Sequence, residues 1–136
     1  MWCFRKLLAL CAFTFLPCAV VVMFGQAAAS DAKKLKNPAK ATSESIAAGQ
    51  KVYDKYCKFC HNADAKGHGP LAPKGTNPPD LTDEQWDHGS SDGEIFVSIR
   101  DGVGPKFDMK PNKEKIPEQD TWNLVNYLLS LGPKKK

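Results

Sequence analysis

A chain of 136 residues is long enough for one domain and no more. Its 10% aromatic and 25% charged content is that of an ordinary globular protein, and a net charge of +4 is too slight an excess to suggest nucleic-acid binding.

The N-terminus reads as an export signal. Arg5 and Lys6 form a basic start, Leu7 to Phe24 is an apolar run broken only by Thr14 and Pro17, and Ala27-Ala28-Ala29 offers small residues for cleavage after Ala29. The run is long for a signal peptide, so an uncleaved membrane anchor through residues 7–24 is the alternative reading of residues 1–29. Either way the remainder is expected outside the cytoplasm, in a bacterial periplasm, soluble or tethered to the membrane. Residues 30–42 are rich in Ala, Lys and Pro with almost no large apolar side chain, which predicts a flexible leader.

A first helix is expected from about Ser43 to Cys57. Ser43 suits the N-cap, and Ile46, Gly49, Val52, Tyr53 and Tyr56 recur at helical spacing. Gly49 in mid-helix costs stability relative to alanine, which close approach of a second helix would offset; a tolerated surface glycine is the other reading.

At the end of that helix stands Cys57-Lys58-Phe59-Cys60-His61, the pattern of covalent haem attachment. Two sulfurs three positions apart can add to the two vinyl groups on one side of a porphyrin, and the following imidazole can reach the iron. A thioredoxin-like redox pair would need a βαβ context, and a zinc site four N or S ligands at spacings that His68 and His88 do not supply. Cys3, Cys11 and Cys18 lie in the export segment, so with Cys57 and Cys60 committed to one haem c no structural disulfide is expected.

Asn62 to Asp80, punctuated by Gly67, Gly69, Pro70, Pro73, Gly75, Pro78 and Pro79, reads as loop. Pro70 and Leu71 follow His61 at a distance that lets the loop fold back beneath the haem, where a backbone carbonyl would accept the proton on the imidazole's other nitrogen. Two capping boxes come next. Thr82 with Gln85 predicts a helical turn through Trp86, and Ser91 with Glu94 predicts a helix ending near Asp101 with Gly102 as its stop. Ile95, Phe96, Ile99 and Val103 form that helix's apolar stripe. Arg100 reads either as a partner for a haem propionate or as a solvated charge.

From Val103 to Ile116 there is no periodicity, and Pro105 and Pro111 forbid regular structure; a loop this long usually carries function. A last helix from about Glu118 to Leu131 has a narrow polar stripe of Asn123, Asn126 and Ser130, and its remaining surface is apolar enough to be buried on more than one side. Lys134 to Lys136 close the chain as a basic tail beyond a domain expected over 43–132.

The second axial ligand separates a six-coordinate carrier from a haem with an open site. Met109, His68 and His88 are the candidates. Met109 is the only methionine beyond the export segment, and it sits in the long loop with charged neighbours, a poor position for a core gap-filler.

From Ser43 to Leu131 the chain resembles the class I c-type cytochromes. The resemblance rests on Cys57 to His61 at the end of the first helix, Gly49 followed by Tyr53, Leu124 followed by Tyr127, and Met109 just before the last helix. It implies an all-α fold of three to five helices wrapped round one covalent haem, terminal helices crossing at the Gly/aromatic and Leu/aromatic pairs, and Pro70 as the carbonyl partner of His61. It implies also an electron carrier rather than an enzyme, monomeric, meeting redox protein partners and no nucleic acid. A haem subunit or tethered relay of one oxidoreductase complex is the second reading, and a peroxide- or gas-binding haem protein the third.

Overall fold

In the computed structural model, which describes residues 31–106 and 108–133, Thr42 rather than Ser43 opens the first helix. Thr42 keeps an extended backbone, and its hydroxyl accepts from the Ser45 amide at 3.2 Å, satisfying one of the donors a helix start leaves unpaired. Helix α1 spans Ser43–Tyr56, the single turn α2 spans Lys58–His61, α3 spans Asp92–Asp101 and α4 spans Glu118–Leu131. The fold is all-α: among the described residues the only β-pairing is an isolated bridge between Val103 and Met109. The export or anchor segment 1–29 and the Lys134–Lys136 tail lie outside the described residues.

The core forms where α4 packs across α1 and α3. Tyr53, Phe96, Leu124, Val125 and Thr121 are fully buried, and burying a side chain such as Leu124 contributes about 1.5–3 kcal/mol. Gly49 sets the α1–α4 crossing. A Cβ there would fall on the Asn123 carbonyl and lie 2.8 Å from Tyr127 Cβ, so only a glycine lets the two backbones come this close. One turn further on, Tyr53 and Tyr127 pack as a tilted pair with ring centroids 5.5 Å apart. Between α3 and α4, the Phe96 and Trp122 rings stack at 3.8 Å.

The capping box of α3 forms as expected: the Ser91 hydroxyl accepts from the Glu94 amide while the Glu94 carboxylate accepts from the Ser91 amide at 3.0 Å. Gly102, at φ 77°, ends the helix. The Thr82–Gln85 box does not form: residues 81–84 are bends, and 85–86 are irregular rather than helix. Asp80 takes both the Thr82 amide (2.7 Å) and its hydroxyl (2.6 Å), and Asp83 takes the Gln85 amide (2.8 Å), so two aspartate turns consume the groups the box needed.

The leader also departs from expectation. Residues 31–34 form a helical turn, Ala32 is buried, and Asn37 reaches α4, donating to the Trp122 carbonyl at 3.1 Å and to Asn126 Oδ1 at 2.9 Å. Composition predicted a free segment because it counts apolar area. The docking instead uses hydrogen bonds to the polar stripe of α4, of which Asn126 is buried.

Candidate haem site

Helix α2 is so short that its carbonyls need partners from outside, and the following loop supplies them. The Gly67 amide donates to the His61 carbonyl (3.0 Å), Gly69 to Cys60 (2.9 Å) and Leu71 to Phe59 (2.8 Å). Reaching all three requires a tightly wound backbone. Asn62, Ala65 and His68 adopt the left-handed region that non-glycine residues rarely visit, at φ 65°, 60° and 59°. Gly69 lies so near α2 that a Cβ would sit 2.6 Å from the Cys60 carbonyl carbon. The Tyr53 hydroxyl donates to the Asn62 carbonyl at 2.7 Å and ties the turn back to α1. The motif is thus clamped from both sides, and its three functional side chains are set by backbone geometry.

These side chains open onto a cavity of about 770 Å³ between α1, α3, α4 and the two long loops. Cys57, Cys60 and His61 line it together with Leu71, Leu81, Trp86, Ile95, Ile99, Leu124, Leu128 and, from the second long loop, Met109. The α3 stripe divides: Ile95, Ile99 and Val103 face the cavity while Phe96 turns to Trp122. Met109 is placed by backbone as well. Its carbonyl accepts from the Val103 amide at 2.9 Å, and the Asn112 side chain donates to the Ile99 carbonyl at 3.2 Å and the Lys110 carbonyl at 3.0 Å. Gly102 permits the return of this loop, since a Cβ there would lie 2.6 Å from the Met109 carbonyl oxygen.

Burial governs the electrostatics. It pushes the Cys57 thiol up to about 12, with Cys60 adding to the shift, so the free Cys57 side chain is a neutral thiol at neutral pH. Burial also lowers the pKa of His61, partly opposed by the Pro79 carbonyl; the ring is neutral at neutral pH and keeps a lone pair. His61 Nδ1 is buried and makes no hydrogen bond.

The structure brings Cys57, Cys60, His61, Leu71 and Met109 to one cavity, with His88 also on its wall. It does not bring Pro70, which is exposed and off the lining, whereas Pro79 lines the cavity. Beyond the left-handed residues the chain returns to the cavity wall at Pro78 and Pro79, and the Leu81 amide donates to the Ala65 carbonyl (2.8 Å). His68 is exposed and does not line the cavity. Arg100 does not line it either: its guanidinium pairs with Asp101 at 2.6 Å and lies over the Phe96 ring. Pro79, Trp86 and Leu81 had no local sequence signal beyond the Pro-Pro pair itself.

A haem fits this arrangement. The volume lies within the ~300–1,000 Å³ usual for cofactor sites, the walls are mainly apolar, and a neutral imidazole with an orphaned buried nitrogen stands beside two thiols and a thioether. Fold and donor set together define a c-type cytochrome domain. Residues 44–128 match the family of cytochrome c oxidase, cbb3-type, subunit III, and the chain belongs to that family. It is 34% identical over 106 residues to the cbb3-type cytochrome c oxidase subunit CcoP of Rubrivivax gelatinosus, covering 74% of this chain and 32% of that protein. The chain therefore spans about a third of the length of the curated relatives it matches. Among solved structures, a reducing HAO-like protein complex of Kuenenia stuttgartiensis is similar at TM-score 0.63 and 27% identity, over 71% of this chain and 47% of that one. Cytochrome cL of Methylophaga aminisulfidivorans shares the fold at TM-score 0.53 and 22% identity, over 65% and 53%. Family membership implies haem c as the cofactor.

Proposed function

We propose that this chain carries single electrons through one haem c, with Cys57 and Cys60 as its covalent attachments and His61 and Met109 as its axial ligands. The observation that carries the reading is the convergence of these four side chains on one cavity, three from α2 and its N-cap and one from the second long loop. The haem supplies a one-electron iron couple. The chain's part is to hold the couple's surroundings still. The clamped turn at Cys57–His61 fixes the imidazole, the neutral ring offers nitrogen to the iron, and the Asn112 and Val103 bonds hold Met109 ready to offer sulfur. A soft thioether favours the reduced metal and raises the potential. Ile95, Ile99, Leu124 and Leu128 exclude water from the interior, while Leu71 (67% exposed) marks the outer rim.

The carrier works outside the cytoplasm, as the export reading of residues 1–29 implies; no helix among the described residues is long and apolar enough to cross a membrane. Its partners are other redox proteins. The relatives in an oxidase and in a HAO-like complex support a second reading, in which the same domain relays electrons inside a larger assembly.

Carbon monoxide tests the ligand set. The reduced protein is expected to leave it unbound at neutral pH, and Met109→Ala to bind it. Ready binding by the unaltered protein would overturn the six-coordinate reading and favour a gas- or peroxide-binding role.

A further inference from the structure

The segment before α1 is fastened to the back of the domain. Gly93, in the first turn of α3, is buried, and a Cβ there would fall on the Ala32 carbonyl and within 2.5 Å of Leu35 Cβ. Asn37 donates to the Trp122 carbonyl and to Asn126 Oδ1. Asn126, only 6% exposed, returns three contacts from Nδ2, to the carbonyls of Ala39 (3.1 Å) and Lys40 (3.3 Å) and to the Ser45 hydroxyl (2.8 Å). The Ser45 hydroxyl in turn donates to Asn123 Oδ1 at 2.7 Å. The Ala39 amide closes the network on Asn37 Oδ1 at 2.8 Å.

These contacts have a direction. At ~100° per residue, Trp122, Asn126 and Leu129 lie roughly 150° round α4 from Leu124 and Leu128, and Gly93 lies roughly 140° round α3 from Ile95 and Ile99. Leu124, Leu128, Ile95 and Ile99 line the haem cavity; Gly93, Trp122 and Asn126 do not. The segment therefore crosses α3 and α4 on the faces turned away from the cavity.

We propose that residues 31–42 are a strap, a rigid part of the haem domain that fixes where the preceding chain departs. Whatever is joined through the N-terminus then attaches at the back, and the rim at Cys60 and Leu71 stays clear for electron exchange. The strap lies outside the 44–128 span that defines the family match. Its existence does not depend on the axial-ligand assignment, so failure of one leaves the other standing.

Hydrogen–deuterium exchange on the full-length haem-loaded protein tests it, with thermal unfolding alongside. The Leu35, Ala39 and Thr42 amides, which are hydrogen-bonded within the segment, are expected to exchange at least about tenfold slower than in a free chain. Asn37→Ala should return them to the free-chain rate without altering the haem absorption spectrum. Gly93→Ala gives a test of opposite signs. Helix propensity alone predicts a raised melting temperature, whereas a docked strap predicts a lowered one. Free-chain exchange in the unaltered protein, protection that survives Asn37→Ala, or a raised melting temperature for Gly93→Ala would each overturn the proposal.

Discussion

His61 is held between two opposing influences. Burial keeps the imidazole neutral, and the Pro79 carbonyl pulls slightly the other way. Only a neutral ring can give its lone pair to a metal, so the burial that disfavours charge prepares the ligand. Met109 has no such preparation beyond the backbone bonds that place it. Replacing Met109 with alanine should lower the reduction potential by on the order of 0.1 V or more. Spectroelectrochemical titration would check this, and an unchanged potential would move the assignment to His88, the histidine on the cavity wall. The motif was legible because five consecutive residues carry it. Pro79 was not, because its nearness to His61 depends on three left-handed residues that no composition announces.

Helix α1 was legible from spacing and α3 from its capping box and spacing, and each gives a test. Gly49→Ala gains ~1 kcal/mol of helix propensity but drives a methyl group into the Asn123 backbone. Backbone overpacking costs about 1–3 kcal/mol, and a carbonyl in a helix cannot swing aside, so a net loss in denaturant unfolding is expected. On α3, Ser91→Ala should cost ~1 kcal/mol by removing the capping box. The Ser91 hydroxyl and amide hold the Glu94 carboxyl below its ordinary range. A lowered folded pKa stabilises above the unfolded value and is lost as pH falls through the folded one. The melting difference between the unaltered protein and Ser91→Ala should therefore shrink below about pH 4. A difference that grows on acidification would contradict this. The 81–86 turn shows the limit of such reading: Thr82 and Gln85 have the right spacing, but Asp80 and Asp83 reach their donors first.

At the scale of the whole molecule the haem cavity lies where a small domain would otherwise place core. Ile95, Ile99, Leu124 and Leu128 face it, and the rest of the buried core is drawn mainly from the contacts of α4 with α1 and α3, with Ala65 and Ile116 added from the loops. A domain of this size has little apolar interior to spare and depends on a staple. The chain with Cys57 and Cys60 both replaced by alanine should lose roughly half or more of its helical circular dichroism and its cooperative melt. A cooperative transition matching the haem-loaded protein would show that the polypeptide folds unaided. The order of helices followed from periodicity, caps and stop signals, and the all-α class from the resemblance those motifs carry. The docking of residues 31–42 did not, since a single asparagine in a Lys/Ala/Pro-rich segment carries most of it and its partners lie more than eighty positions away.

The central claim is a haem bonded to Cys57 and Cys60. The intact mass of the denatured, purified protein tests it most directly, set beside acid-acetone extraction of the pigment. The account predicts a mass one haem above that of the polypeptide, with colour that stays on the protein. A mass equal to the polypeptide alone, with colour passing into the solvent, would contradict it.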